Sequence, residues 1–101
     1  MRVQVLVSED CPHRVPTLHL VRDVLQQLNV DSSIDEIAVS NLEQARRLRF
    51  LGSPTILIDG LDVEPERRTD TNFGMSCRLY GRSGTPPRAM VLSAILEACS
   101  K

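Results

Sequence analysis

The chain has 101 residues, of which 42% are hydrophobic and 3% aromatic, and its formal net charge at pH 7 is −1. A single domain spanning residues 1–101 fits this length and apolar content. The near-neutral charge and the scarcity of aromatic side chains argue against nucleic-acid binding, and no apolar run is long enough to cross a membrane.

The cysteine content and the first residues bear on the cellular compartment. Three cysteines at unrelated spacings form neither a disulfide framework nor a zinc-finger pattern. The first residues enter a strand pattern at once, and Glu9 and Asp10 follow closely, so we expect no signal peptide. These features predict a reducing, cytoplasmic location and no metal site.

The first part of the chain predicts a strand, a helix and a second strand. Residues 2–7 are expected to form a buried strand, with alternate valines on one face. Residues 15–28 have apolar side chains at helical spacing, although Pro16 disfavours helix at the residue before it. Asn29 is expected to end this helix. Residues 33–39 then form the second strand.

The middle of the chain predicts a short helix and a third strand. Asn41 is an N-cap residue, and Gln44 lies at the spacing of a capping box. Gly52 is expected to end the helix. Residues 54–59 are predicted to form an apolar strand, which the turn pair Asp59-Gly60 closes.

The last third predicts a loop, a strand and a helix. Residues 61–73 are mostly polar and are expected to form a loop, whereas residues 75–80 are predicted to be the fourth strand. Pro86 and Pro87 open the last helix. The order β-α-β-α-β-β-α predicts an α/β fold with one four-stranded mixed sheet and helices on both of its faces.

Cys11 lies between the predicted first strand and first helix. A helix N-terminus and the neighbouring Arg14 stabilise an anion, and the thiolate is the nucleophilic form of cysteine. Pro12 suits the first helical turn, and His13 could carry positive charge or transfer a proton. We therefore predict a reactive thiol at Cys11 with Arg14 as its partner. The alternative is a small buried cysteine at a tight turn.

The element order, the thiol at the first strand–helix junction and the Ser53-Pro54-Thr55 entry to the third strand resemble the thioredoxin and glutaredoxin fold. The resemblance implies a three-layer sandwich. It also implies that the Ser53–Pro54 bond is cis, that it lies beside the active cysteine, and that the backbone just before Pro54 pairs with an incoming thiol-bearing peptide or glutathione. The substrate-binding residues that it implies are Pro12, His13, Ser53, Pro54 and Thr55.

Three further stretches resemble a group of small, uncharacterised bacterial thioredoxin-family proteins, some of which are labelled alkylmercury lyase-like. These stretches are residues 50–55, 62–65 and 74–80. The resemblance to the thioredoxin and glutaredoxin fold covers nearly the whole chain.

The sequence departs from the two-cysteine thioredoxin motif, because Arg14 stands where the second cysteine would be. Dithiol exchange closes by attack of that second thiolate on the mixed disulfide. The resemblance therefore implies a monothiol route that uses glutathione or another low-molecular-weight thiol, with no tightly bound cofactor. Cys77 is expected to pack within the fourth strand, the alternatives being a remote resolving thiol or a soft-metal ligand. Cys99 is expected to be incidental.

The leading functional hypothesis is a monothiol, glutaredoxin-like thiol–disulfide oxidoreductase that acts on a thiol-containing small molecule or protein through Cys11. Two alternatives stay open. One is a module in which Cys11 binds a soft metal ion or an organomercurial without turnover. The other is a thioredoxin-like scaffold without chemistry. The sequence does not decide whether the protein is an enzyme, nor does it indicate the oligomeric state.

Overall fold

The computed structural model describes residues 1–81 and 83–100. Its elements are β1 (Val3–Ser8), α1 (Arg14–Gln27), β2 (Ile34–Val39), α2 (Leu42–Leu48), β3 (Thr55–Ile58), β4 (Leu61–Asp62), a 3-10 turn (Pro65–Arg67) and α3 (Arg88–Cys99). The order of strands and helices is the predicted one, although other residues form the fourth strand. Within the described ranges, no helix is long and apolar enough to span a membrane.

The four strands form one mixed sheet in the order β2-β1-β3-β4. β1 and β2 are parallel, and α1 makes the crossover that a parallel pair requires. β3 runs antiparallel to β1, and β4 runs antiparallel to β3. The predicted four-stranded mixed sheet is confirmed.

The side chains of β1 alternate between two apolar clusters on opposite faces of the sheet. Val3, Val5 and Val7 pack in a cluster with buried residues of α1 and α3, including Val24 and Ile95. Leu6 packs in the other cluster, which consists of Leu6, Val39, Ala45, Phe50 and Leu57 and includes part of α2. The sheet therefore lies between α1 and α3 on one side and α2 on the other.

The first helix begins at Arg14, with His13 as its N-cap, so Pro16 lies in its first turn. The first four N–H groups of a helix have no partner inside the helix, and the missing N–H of a proline is tolerated there. Asn29 follows the helix end with φ of 55° in the left-handed region. The helix thus includes Val15 despite the proline, and it ends where Asn29 predicted.

The second helix has the predicted N-cap but not the predicted end. Asn41 Oδ1 accepts a hydrogen bond from the Gln44 N–H at 2.9 Å, and Gln44 Oε1 accepts from the Ser40 N–H at 2.8 Å. The prediction that Gly52 ends this helix is wrong. Arg49 ends it instead, by adopting the left-handed conformation with φ of 60°.

The prediction of a fourth strand at residues 75–80 is wrong, because Leu61 and Asp62 form β4. A tight turn at Asp59 and Gly60 connects β3 to β4, with φ of 50° and 82°. Positive φ at both central residues is the geometry that an Asp-Gly pair favours between hairpin strands. The turn predicted at this Asp-Gly pair is therefore a hairpin turn, and the residues that follow it, predicted as a loop, begin with β4.

Residues 76–80, here called the 76–80 segment, lie beside the start of β3 without forming a strand. A single isolated bridge joins Cys77 to Ser53. The next residue, Pro54, has no N–H with which to continue a ladder. Farther along β3, Leu57 and Ile58 already pair with β4. β4 and the residue that follows it, Val63, therefore occupy this edge of β3 from Ile56 to Ile58.

Candidate functional site

Cys11 lies in the turn between the end of β1 at Ser8 and the start of α1 at Arg14. Its side chain is half-buried, and its carbonyl accepts a hydrogen bond from the Arg14 N–H at 3.3 Å. The structure thus places the thiol at the strand–helix junction that the sequence indicated.

A cavity of about 180 Å³ lies against this turn. Residues 8–13 line it together with Ser53 and residues 77–79. Of the residues predicted to form the site, Cys11, Pro12, His13 and Ser53 line the cavity. Arg14, Pro54 and Thr55 do not line it.

Ser53 connects the Cys11 turn to the 76–80 segment. Its buried Oγ accepts a hydrogen bond from the Ser8 N–H at 3.0 Å. Its own N–H donates to the Ser76 carbonyl at 3.0 Å, and its carbonyl accepts from the Arg78 N–H at 3.0 Å. The chain itself therefore occupies both backbone groups of Ser53, the residue whose backbone was expected to pair with an incoming peptide or glutathione.

Pro54 and Thr55 are buried and stabilise the chain where it enters β3. The Ser53–Pro54 peptide bond is cis, as expected. The Pro54 carbonyl accepts a hydrogen bond from the Tyr80 hydroxyl at 2.6 Å. Thr55 Oγ1 donates to the Gly52 carbonyl at 2.6 Å. These contacts give both residues a structural role at the entry to β3.

Arg14 is not beside the cavity. Its guanidinium donates to the carboxylate of Glu36 on β2. The side chain of Arg14 is 48% exposed, and the hydrogen bond with Glu36 raises the pKa of Arg14 above its ordinary value. The charge of Arg14 is therefore paired with a carboxylate, and its stabilisation of a Cys11 thiolate stays a prediction.

His13 lines the cavity and packs against Gly84. A β-carbon added at Gly84 would overlap the Nε2, Cδ2 and Cε1 atoms of the imidazole. Gly84 is itself buried, so the absence of a side chain there makes room for the ring. The turn that contains Gly84 thus holds His13 at the cavity, a contact that the sequence pattern did not indicate.

Cys77 is not packed within a strand, so the placement predicted for it is wrong. Its side chain is exposed, and it lines the same cavity as Cys11. Burial alternates along the neighbouring residues, but Arg78 is the buried one and Leu79 is 65% exposed. Hydrophobicity predicts the opposite, with the leucine buried and the arginine exposed. The burial of Arg78 explains why the prediction for this segment was wrong.

The Arg78 side chain is 1% exposed and anchors the 76–80 segment to β4. Its Nη1 and Nη2 atoms donate to the two carboxylate oxygens of Asp62 at 2.8 and 2.7 Å, and Nη2 also donates to Glu64 at 3.0 Å. Its guanidinium carbon lies 4.5 Å from the centre of the Tyr80 ring. Burial opposes the charge, but the hydrogen bonds with Asp62 and Glu64 raise the pKa of Arg78 above its ordinary value.

The titration of Tyr80, whose ring lies against Arg78, tests whether the 76–80 segment is buried as described. Burial raises the pKa of the Tyr80 hydroxyl above its ordinary value, although attraction by Arg78 opposes the shift. The stability that the neutral phenol contributes is present below the unfolded pKa of about 10, and it is lost as pH rises through the folded pKa. We expect phenolate absorbance to appear only as the protein unfolds in alkali.

The readout is unambiguous, because Tyr80 is the only tyrosine and the chain has no tryptophan. Phenolate absorbance and far-ultraviolet circular dichroism are followed in the same pH titration. The control is the protein in denaturant, whose phenol should titrate near about 10. Phenolate formation near that pH with the circular dichroism intact would contradict the buried position of the hydroxyl.

Comparisons of the chain with protein-family models, with curated proteins and with solved structures find no match. Over the residues that the structure describes, no group of three or more His, Cys, Asp or Glu side chains could hold a metal ion. The features of the molecule that bear on function are therefore the cavity and the two cysteines that line it.

Proposed function

We propose that the protein is a thioredoxin-like thiol–disulfide oxidoreductase, with Cys11 as its nucleophile. The single observation that carries the proposal is the position of Cys11, half-buried between β1 and α1 and open to a cavity that Ser53 also lines. The N-terminus of a 14-residue helix favours an anion at this point.

The architecture supports the thioredoxin-like part of the proposal. The sheet is mixed, has the order β2-β1-β3-β4, and is covered by helices on both faces. The cis bond before Pro54 lies at the entry to β3, and Ser53 contacts the turn that holds Cys11. This combination is what the resemblance to the thioredoxin and glutaredoxin fold implied.

The proposed first half-reaction is attack by the Cys11 thiolate on a glutathione mixed disulfide. A bond forms between Cys11 Sγ and the glutathione sulfur, while the bond between glutathione and the substrate breaks. The released substrate thiolate takes a proton. A second glutathione thiolate then attacks the Cys11-bound glutathione, which yields oxidised glutathione and restores the Cys11 thiolate.

The test is glutathione-dependent reduction of a small mixed disulfide between glutathione and 2-mercaptoethanol. We expect the parent protein to form oxidised glutathione faster than the uncatalysed background, and Cys11→Ser to lower the rate to that background. Serine retains the shape of the side chain but is not a nucleophile towards sulfur. Cys99→Ser is the matched control, because Cys99 is exposed at the end of α3 and does not line the cavity.

Two results would overturn the proposal. Equal rates for the parent and Cys11→Ser would show that Cys11 is not the nucleophile. A parent rate equal to the background, in a protein whose circular dichroism shows that it is folded, would leave a thioredoxin-like scaffold without this chemistry.

A soft-metal site is the second candidate, and one specific observation favours it. Cys11 and Cys77 line one cavity, so two thiolates are available where the sequence had indicated one. Soft metal ions prefer thiolate ligands. A site of this kind would bind one ion per chain and would lose it in both Cys11→Ser and Cys77→Ser, without any glutathione-dependent turnover.

A further inference from the structure

We propose that Cys77 is the resolving thiol of the site, and that Cys11 and Cys77 close into an intramolecular disulfide during exchange. This inference rests on the proposed function, and it replaces the monothiol exchange mechanism by a dithiol one. The first observation behind it is that the half-buried Cys11 and the exposed Cys77 line the same cavity of about 180 Å³, whereas Cys99 does not.

The second observation is that Ser53 holds both cysteine-bearing segments. Its Oγ accepts from the N–H of Ser8, three residues before Cys11 in the sequence. Its backbone N–H and carbonyl bind Ser76 and Arg78, the two residues on either side of Cys77. One buried residue therefore binds both the turn that leads to Cys11 and the backbone on either side of Cys77.

The third observation is that the segment bearing Cys77 is anchored on its other side. The Arg78 guanidinium is bound to Asp62 and Glu64 in a buried position. At Gly52, an added β-carbon would lie 2.9 Å from the Ser76 carbonyl oxygen, so the two backbones are in close contact there. These contacts hold Cys77 at the cavity while leaving its thiol exposed.

The place that Cys77 occupies also supports a redox role. The Ser53 backbone was expected to pair with an incoming thiol-bearing peptide, and the chain fills that position with its own cysteine-bearing segment. A thiol supplied by the chain itself at this point can attack a mixed disulfide on Cys11 without diffusion of a second molecule.

The balanced reaction consumes one substrate disulfide. The Cys11 thiolate attacks one sulfur of the disulfide, the S–S bond breaks, and the first substrate thiolate leaves and is protonated. The Cys77 thiolate then attacks Cys11 Sγ, which breaks the mixed disulfide and releases the second substrate thiol. The protein is oxidised by two electrons to the Cys11–Cys77 disulfide, and two molecules of a low-molecular-weight thiol reduce it again.

The experiment treats the reduced protein with oxidised glutathione, without any other thiol. The reaction is quenched by acid, free thiols are alkylated in denaturant, and products are identified by intact mass and peptide mapping. We expect the parent and Cys99→Ser to form a Cys11–Cys77 disulfide without retained glutathione. Cys77→Ser is expected to lose that disulfide and to accumulate glutathione on Cys11.

The outcomes separate this inference from the proposed function. Glutathione accumulating on Cys11 of the parent as fully as in Cys77→Ser would overturn the resolving role and leave Cys11 as a monothiol nucleophile. A disulfide between Cys11 and Cys99 would overturn the resolving role as well. If Cys11 forms no disulfide of either kind in any folded variant, both the inference and the proposed function fail.

Discussion

Replacing Arg78 by methionine is expected to lower the free energy of unfolding by about 3–5 kcal/mol. The reason is the carboxylate of Asp62, whose side chain is 4% exposed and which takes two hydrogen bonds from Arg78. Removal of the cation leaves that charge buried without its partner. Methionine retains an unbranched apolar stem, so the loss of packing against Tyr80 is small by comparison.

Denaturant unfolding followed by circular dichroism measures this effect. Arg67→Met is the matched control, because Arg67 pairs with Asp70 near the surface at 2.9 Å and such pairs are worth at most about 1 kcal/mol. Adding Asp62→Asn to Arg78→Met removes the buried charge and should recover part of the stability. Equal losses for Arg78→Met and Arg67→Met would show that the buried pair does not anchor the segment.

The first three strands and the three helices were predictable because short-range patterns encode them. Alternate valines on β1 separate the two faces of the sheet, and Val3 and Leu6 do pack in opposite clusters. Asn41 and Gln44 mark a helix start through hydrogen bonds that reach only three or four residues. Both partners of such an interaction lie within a few residues of each other, so the sequence alone shows the pair.

The region after β3 could not be predicted in the same way. Arg78 and Asp62 are 16 residues apart, and nothing in the local pattern marks either of them as buried. Leu79 is apolar, which favoured the prediction of a strand at residues 75–80. Its side chain is exposed, however, and its two neighbours are buried. A buried ion pair that reverses the apolar pattern can be recognised only once the two segments are seen together.

In the candidate site, too, the part set by neighbouring residues was predictable and the part set by distant contacts was not. Cys11 was predictable because its strand and helix are adjacent in the sequence. The approach of Cys77 depends on contacts with Gly52 and Ser53, more than 20 residues earlier. Sequence spacing therefore suggested one thiol at the cavity, whereas the structure places two there.

Replacing Gly52 by alanine is the second change for which we expect a large effect. Gly52 has φ of 126°, a conformation that residues with a β-carbon rarely adopt, and such strain costs about 1–3 kcal/mol. The new β-carbon would also lie 2.9 Å from the Ser76 carbonyl oxygen and 3.1 Å from Arg78 Cβ. Relief of these contacts requires the 76–80 segment to move away from Ser53. We therefore expect both lower stability and slower formation of the Cys11–Cys77 disulfide.

Two other glycines separate backbone strain from steric contact. Gly81 has φ of 70° with open space around its α-carbon, so Gly81→Ala adds strain without a contact. Gly74 has open space and no positive φ, so Gly74→Ala should be close to neutral. Denaturant unfolding and the rate of disulfide closure under oxidised glutathione are measured for all three variants. If Gly52→Ala closes the disulfide as fast as Gly81→Ala does, the contact between Gly52 and Ser76 does not position Cys77.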